Sequence, residues 1–198
     1  MKITDIKQQV KRNDRYSVYV DEKYACSFSD SELLNLGLRV GQEVTESEVQ
    51  DLKRSSQQDK AYMRTLDLLS RRPRSEWELR DYLKRKDNDQ ETIDIILNKL
   101  SNLGYVDDMD FARRWIESRR LLKSTSKRKL RQELQQKRIN SSIIDEVLSE
   151  DETDEREVLR QIVDKKRDRY PDKLKLMQYL ARQGFNYDDI KTVLEEMS

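Results

Sequence analysis

The chain has 198 residues, with 40 Lys or Arg against 39 Asp or Glu and a formal net charge of +1; charged residues make up 40% of it and hydrophobic ones 35%. It contains no histidine and one cysteine, Cys26, which excludes Ser-His-Asp and Cys-His catalysis, imidazole or thiolate metal centres and an internal disulfide. Its four glycines, Gly37, Gly41, Gly104 and Gly184, stand too far apart for a P-loop or a dinucleotide-binding loop.

The first thirty residues alternate. Tyr16, Val18 and Val20, then Tyr24, Cys26 and Phe28, fall at every second position, which predicts short strands over Ile3 to Val10 and Arg15 to Phe28. Asn13-Asp14 and Asp21-Glu22 are the turn candidates, and Cys26 reads as a small buried apolar residue. Ser29 or Asp30 is placed to cap a short helix over Leu33, Leu34 and Leu36, which Gly37 would stop. Thr45-Glu46-Ser47-Glu48 forms a capping-box sequence and predicts a helix running toward Leu69. The polar stretch Arg54-Ser55-Ser56-Gln57-Gln58 in its middle predicts a break or hinge.

From about residue 60 the chain repeats itself. Ser75, Leu79, Leu83, Asp89, Ile93 and Leu97 become Ser126, Leu130, Leu134, Asn140, Ile144 and Leu148 on adding 51. A further 46 gives Asp172, Leu176, Leu180, Asn186, Ile190 and Leu194. Every first and fourth member is Ser, Asp or Asn, whose side chains accept bonds from the free N–H groups of a first helical turn. Every apolar pair is four apart, on one helix face. A further helix precedes each pair, marked by Tyr62, Leu66 and Leu69, by Phe111, Trp115 and Leu122, and by Leu159, Ile162 and Val163.

The expected fold is therefore mainly α. A β-hairpin-like unit with a short helix occupies 1–52, and three three-helix modules over 53–105, 106–150 and 151–198 form an elongated, curved tandem array. Near-equal charges and regular apolar spacing argue against disorder. No stretch approaches the roughly 18 apolar residues of a membrane span, and Met1-Lys2-Ile3-Thr4-Asp5 lacks a signal peptide's apolar region. The expectation is a cytoplasmic protein with no membrane contact.

Overall neutrality hides two blocks. Arg113 to Arg138 holds 11 Lys or Arg and two acids, Glu117 and Glu133, whereas Asp145 to Glu157 holds eight acids and one Arg. The bland reading of such helices is solvated faces pairing with nearby carboxylates. Two local acids cannot neutralise eleven cations, so this window is read as a contact for nucleic acid or an acidic partner. Its candidates are Arg113, Arg114, Arg119, Arg120, Lys123, Lys127, Arg128 and Arg131. A second cluster, Arg71, Arg72 and Arg74, adjoins Trp77, which lies nearly opposite Leu79 and Leu83 on its helix. That tryptophan would stack on an unpaired base, anchor a protein or pack on a neighbouring module. Trp115 shares a face with Phe111 and reads as core. Asp107, Asp108 and Asp110 resemble a nuclease carboxylate cluster, but capping the helix that begins there explains them better.

Arg74-Ser75-Glu76-Trp77-Glu78-Leu79-Arg80-Asp81-Tyr82-Leu83-Lys84-Arg85-Lys86, then Leu100-Ser101-Asn102-Leu103-Gly104-Tyr105-Val106-Asp107-Asp108 and Phe111-Ala112, resemble the RecX family of recombinase regulators. Lys129-Leu130-Arg131-Gln132-Glu133-Leu134 and Leu180-Ala181-Arg182-Gln183-Gly184-Phe185 look like its second and third modules. Tyr16 to Asp21 and Leu36 to Gln42 resemble the N-terminal extension of some members. One departure stands out: the family often has Gly after each middle helix, and here Gly184 keeps it while Asp87 and Arg138 replace it. That predicts strain or a different turn at those two positions.

The resemblance implies a non-enzymatic regulator that binds the RecA recombinase and its nucleoprotein filament; a monomer that meets single- or double-stranded DNA is expected. It would lower RecA's ATPase and strand-exchange activities, and needs no metal and no cofactor. A second expectation from another class is a helix-turn-helix-like, sequence-specific transcription regulator. A third is a carboxylate-dependent nuclease.

Overall fold

Period-two alternation folds into an antiparallel meander of β1 (Ile3–Gln9), β2 (Arg12–Val20) and β3 (Lys23–Ser29) in the order 1-2-3. The computed structural model describes residues 1–122 and 124–197. Ile6 pairs with Val18, Val18 with Cys26 and Tyr16 with Phe28. Val18, Cys26 and Phe28 point into a core shared with Ile3, Val20, Val44 and Val49. Burial pushes the Cys26 thiol up to about 11, so it stays a neutral, apolar-like group. The second turn lies at Asp21-Glu22 as expected, with both residues at positive φ (45° and 64°). That geometry matches strand twist in a two-residue hairpin and is reached here without glycine. The first turn is at Val10-Lys11, and Asn13 and Asp14 lie inside β2.

Ser29 caps α1 (Asp30–Leu36), which Gly37 ends at φ 61°. The capping box forms at the start of α2 (Glu46–Arg71): Thr45 accepts from the Glu48 N–H, and Glu48 accepts from the Thr45 N–H at 2.6 Å. The hinge expected at 54–58 is absent, because α2 is one unbroken helix of 26 residues. Ser56 donates to the Ser27 carbonyl (2.8 Å) and Asp59 accepts from the Ser29 N–H (2.8 Å) and hydroxyl (2.6 Å). Arg15 of β2 pairs with Asp59 at 3.0 Å, both side chains buried, and donates to the Ser27 carbonyl at 2.6 Å. The polar stretch is where α2 docks on β3, and the 52/53 boundary falls inside this helix.

The repeat becomes helices α3 (Glu76–Lys84), α4 (Gln90–Asn102), α5 (Asp108–Leu122), α6 (Lys127–Gln136), α7 (Ser141–Glu150), α8 (Glu155–Lys166), α9 (Lys173–Arg182) and α10 (Tyr187–Glu196), with a 3-10 turn at Arg167–Arg169. Ten α-helices thus stand among the described residues: α1 beside the three-stranded sheet, and nine that make up the three three-helix modules. All twelve paired Leu and Ile positions of the repeat are buried. Asp89, Ser126, Asn140, Asp172 and Asn186 cap their helices, and the Ser75 hydroxyl accepts from the Glu78 N–H. Leu122, grouped with Phe111 and Trp115 on one apolar face, is instead 78% exposed at the end of α5.

The described residues divide into two compact units, Met1–Pro73 with Leu79–Tyr105, and Arg74–Glu78 with Val106–Ser198. In the first, α4 packs along α2, where the Lys99 ammonium lies 4.3 Å over the Tyr62 ring. In the second, one device recurs at the 51- and 46-residue spacings. The Ser75 hydroxyl donates to the Lys137 carbonyl (3.0 Å), and the Ser126 hydroxyl donates to the Gln183 carbonyl (2.6 Å). The Glu76 N–H donates to Asp108 (2.8 Å), and the Lys127 N–H donates to Glu155 (3.0 Å). Glu78 pairs with Lys137 (2.6 Å), and Lys129 donates to Gln183 (2.6 Å). Each capping serine thus serves its own helix and the carbonyl that ends a helix of the next module.

The residue after each middle helix is left-handed in all three modules: Asp87 at φ 58°, Arg138 at 59° and Gly184 at 97°. The turn is the same with or without glycine, so the two substitutions bring strain and no new geometry.

Asp59→Ala leaves the Arg15 guanidinium buried and unpaired and should lower unfolding free energy by about 3–5 kcal/mol in urea; removing both charges as Arg15→Met with Asp59→Leu should restore much of the loss. A Cβ at Gly184 would sit 2.5 Å from the Ser126 hydroxyl, so Gly184→Ala should destabilise by about 2 kcal/mol or more, whereas Asp87→Gly should stabilise by about 0.5–1 kcal/mol.

Candidate nucleic-acid interface

The acids that the basic window lacks along the chain are supplied in space by the acidic block that follows it. Arg113 of α5 binds Glu150 of α7 in bidentate fashion, Nε at 2.9 Å and Nη2 at 2.8 Å. This hydrogen bonding raises the Arg113 pKa and lowers that of Glu150. Arg131 of α6 pairs with Asp145 at 2.5 Å, and Arg114 pairs with Asp110 one turn back on α5 at 2.7 Å. Arg119 pairs with Glu133 at 2.7 Å, and the same carboxylate accepts from the Trp115 indole N–H at 2.8 Å. Pairing with nearby carboxylates therefore accounts for much of this window.

Arg120 is the most committed of these cations. Its side chain is 13% exposed and reaches Asp151 (2.5 Å), Glu155 (3.2 Å) and the Thr125 carbonyl. Burial pushes the Asp151 carboxyl up, but the hydrogen bonds from Arg120 and Thr153 outweigh it and hold the group below the usual range. The Lys127 ammonium donates to the Asp151 carbonyl, so both cations staple the second module to the start of the third. Lys123 lies outside the described residues. Arg128 is exposed and, among the described residues, has no ionic partner.

The other cluster is divided. Arg71 and Arg72 belong to the first unit, where Arg71 pairs with Asp67 (2.8 Å) and Arg72 donates to the Pro73 carbonyl (3.0 Å). Half-buried Arg74 and Trp77 belong to the second. Trp77 is 41% exposed with the Arg138 guanidinium 6.0 Å over its ring. Trp115 stacks on Phe111 (5.8 Å, 28°) against the second module's core, with Arg119 4.7 Å over its ring.

The aspartates diverge to separate tasks. Asp107 accepts from the N–H groups of Met109 and Asp110, Asp108 accepts from the Glu76 N–H, and Asp110 pairs with Arg114. Burial raises the Asp108 pKa against the lowering effect of that N–H. Three carboxylates engaged in capping and pairing do not converge on a common point, and the capping account is the one the geometry supports.

A basic run in the third module escaped the sequence reading. Lys165, Lys166, Arg167, Arg169, Lys173 and Lys175 stand against only Asp168 and Asp172, and among the described residues none of the six has an ion-pair partner. The signal was a plain charge run, overshadowed by the denser window upstream. Exposed ion pairs are worth only about 0–1 kcal/mol, so Arg113, Arg114 and Arg131 remain exchangeable for phosphate, as buried Arg120 does not.

Four domain profiles of one family match the chain: the RecX N-terminal domain over residues 1–45 and the first, second and third RecX three-helix domains over 61–100, 107–148 and 153–194. The regulatory protein RecX of Listeria monocytogenes serotype 4a is 36% identical over 152 residues, which are 76% of this chain and 56% of that protein. The chain thus spans little more than half the length of such Listeria relatives. Regulatory protein RecX of Bacillus velezensis is 32% identical over 201 aligned positions, covering 98% of this chain and 76% of its own. A crystal structure of regulatory protein RecX matches with a TM-score of 0.80 at 30% identity over 98% of both chains. That of RecX from Lactobacillus salivarius matches at 0.63, with 27% identity over 70% of this chain and 95% of the other. The chain belongs to the RecX family of regulatory proteins.

Proposed function

We propose that this protein is a monomeric, cytoplasmic regulator that binds the RecA recombinase and its nucleoprotein filament and lowers RecA's ATPase and strand-exchange activities. It acts by binding, with no catalysis and no cofactor. The match of all four RecX domains, in order along the chain, carries this reading. The exposed cations support a contact with the DNA or with acidic surface of the filament, since phosphates spaced along a strand reward several cations on one body. No described helix is long and apolar enough to cross a membrane, in keeping with a partner met in water.

The cations divide by task. Arg114 and Arg128 are exposed, Arg131 is half-buried, and each holds at most one carboxylate among the described residues, whereas Arg120 ties two modules together. In a RecA ATPase assay on single-stranded DNA, the chain should inhibit turnover. Arg114→Glu, Arg128→Glu and Arg131→Glu together should raise the half-inhibitory concentration at least tenfold with helicity unchanged. Arg120→Ala should instead lower the unfolding free energy by about 2 kcal/mol. Inhibition that survives the triple reversal would move the contact elsewhere, and no effect of the unmodified protein on RecA would refute the function. Selection from random duplexes should return no motif; a motif with a high specificity ratio would favour the transcription-regulator reading.

A further inference from the structure

A cleft of about 460 Å³ is bordered by the end of α5 and by α6, α8 and α9. All of it belongs to the second unit. Lys129, Lys165 and Lys166 line it together with Ser124, Thr125, Leu122 and Tyr179. Lys165 and Lys166 have no carboxylate partner, and Lys129 spends one of its three donors on the Gln183 amide. The one acid on the rim, Glu133, is already occupied by Arg119 and the Trp115 indole. Among the described residues, the cleft is thus lined by three lysines and holds no unpaired carboxylate.

Its second character is aromatic. Tyr179 is half-buried, and Tyr170 stacks on it with centroids 5.0 Å apart at 22°, which fixes the ring in place. Leu122 adds an exposed apolar side chain to the lining of the same cleft. A fixed ring beside an apolar group, with lysines around them, fits a planar base attached to a phosphate. The volume falls in the range that holds small ligands and admits one nucleotide. Bases inside a duplex offer no free face to an aromatic ring, so such a site prefers a single strand. An acidic peptide would satisfy the lysines and leave Tyr179 unused.

We infer that the cleft between the second and third modules is a nucleotide subsite for single-stranded nucleic acid. Lys129, Lys165 and Lys166 hold phosphate there, and Tyr179 stacks on an unpaired base. The inference rests on the proposed filament-binding role and names the part of the surface that meets the strand.

The test is fluorescence anisotropy of a labelled oligo-dT with the full chain at several salt concentrations. Lys165→Glu with Lys166→Glu should weaken binding about tenfold and reduce the slope of log affinity against log salt by about 1.4, two cations at roughly 0.7 each. Tyr179→Leu keeps an apolar contact to Tyr170 and should weaken oligo-dT about tenfold with the slope unchanged, while binding of a mixed-sequence duplex and of inorganic polyphosphate stays within twofold. Lys191→Glu, on α10 and outside the cleft, is the charge control, and circular dichroism confirms folding of each variant. The inference is overturned if Lys191→Glu weakens oligo-dT as much as the cleft reversal, if Tyr179→Leu leaves oligo-dT unaffected, or if polyglutamate competes better than unlabelled oligo-dT. RecA ATPase measured on the same proteins separates the two readings. Inhibition with normal oligo-dT binding in both cleft variants overturns the subsite and spares the function, whereas oligo-dT binding at the cleft without any effect on RecA does the reverse.

Discussion

The second unit depends on a serine hydroxyl used twice. Oγ of Ser75 and of Ser126 accepts an N–H from its own helix, and its single proton goes to the carbonyl of Lys137 or Gln183. A hydroxyl can do this because it is donor and acceptor at once. Asp or Asn caps a helix equally well, but a carboxylate has no proton to pass on. The third module's counterpart, Asp172, caps α9 through the N–H groups of Leu174 and Lys175. The glycine at 184 belongs to the same constraint, since Ser126 occupies the space that a side chain would need.

Charge has two uses on this scaffold. The basic block and the acidic block are adjacent in sequence because they meet in the fold: the pairs Arg113–Glu150 and Arg131–Asp145 tie α5 and α6 to α7 within the second module, and Arg120–Asp151 ties that module to the start of the third. Burial decides the use of each cation. An arginine out of water keeps its carboxylate because separation would strand both charges. One at the surface exchanges carboxylate for phosphate at little net change.

Much of the architecture was legible because it is periodic. Caps at Asp89, Ser126, Asn140, Asp172 and Asn186 and the Leu and Ile pairs between them obey local rules that need no knowledge of distant contacts. The same holds for the capping box at Thr45 and the stop at Gly37. What failed was decided by distant partners. Arg54 to Gln58 looks like a hinge until β3 supplies a hydrogen-bond partner for Ser56. Asp87 and Arg138 reach a left-handed turn that sequence statistics reserve for glycine, because the packing on either side fixes the chain path. Leu122 is apolar and in phase yet exposed, since the helix ends before anything covers it. For the site, the basic window was visible, but its pairing with the block thirty residues on was not. Lys165 and Lys166 share a cleft with Tyr179 and Lys129, residues distant in the chain, which a charge run alone does not reveal.

The unbroken α2 has a bearing on how the chain can be shortened. Over 26 residues it spans about 39 Å, and both the sheet and α4 pack along it, the sheet through Ser56 and Asp59 and α4 through Gln58 and Tyr62. The strands hold Ser56 and Asp59 by hydrogen bonds that water would have to replace. A chain cut just before α2 would present those groups, with Val49 and Leu52, on a bare helix face. The N-terminal sheet is therefore part of the first module's footing. A minimal fragment that keeps that module intact has to include the strands, and the natural place to divide the protein lies farther along, at a junction between modules.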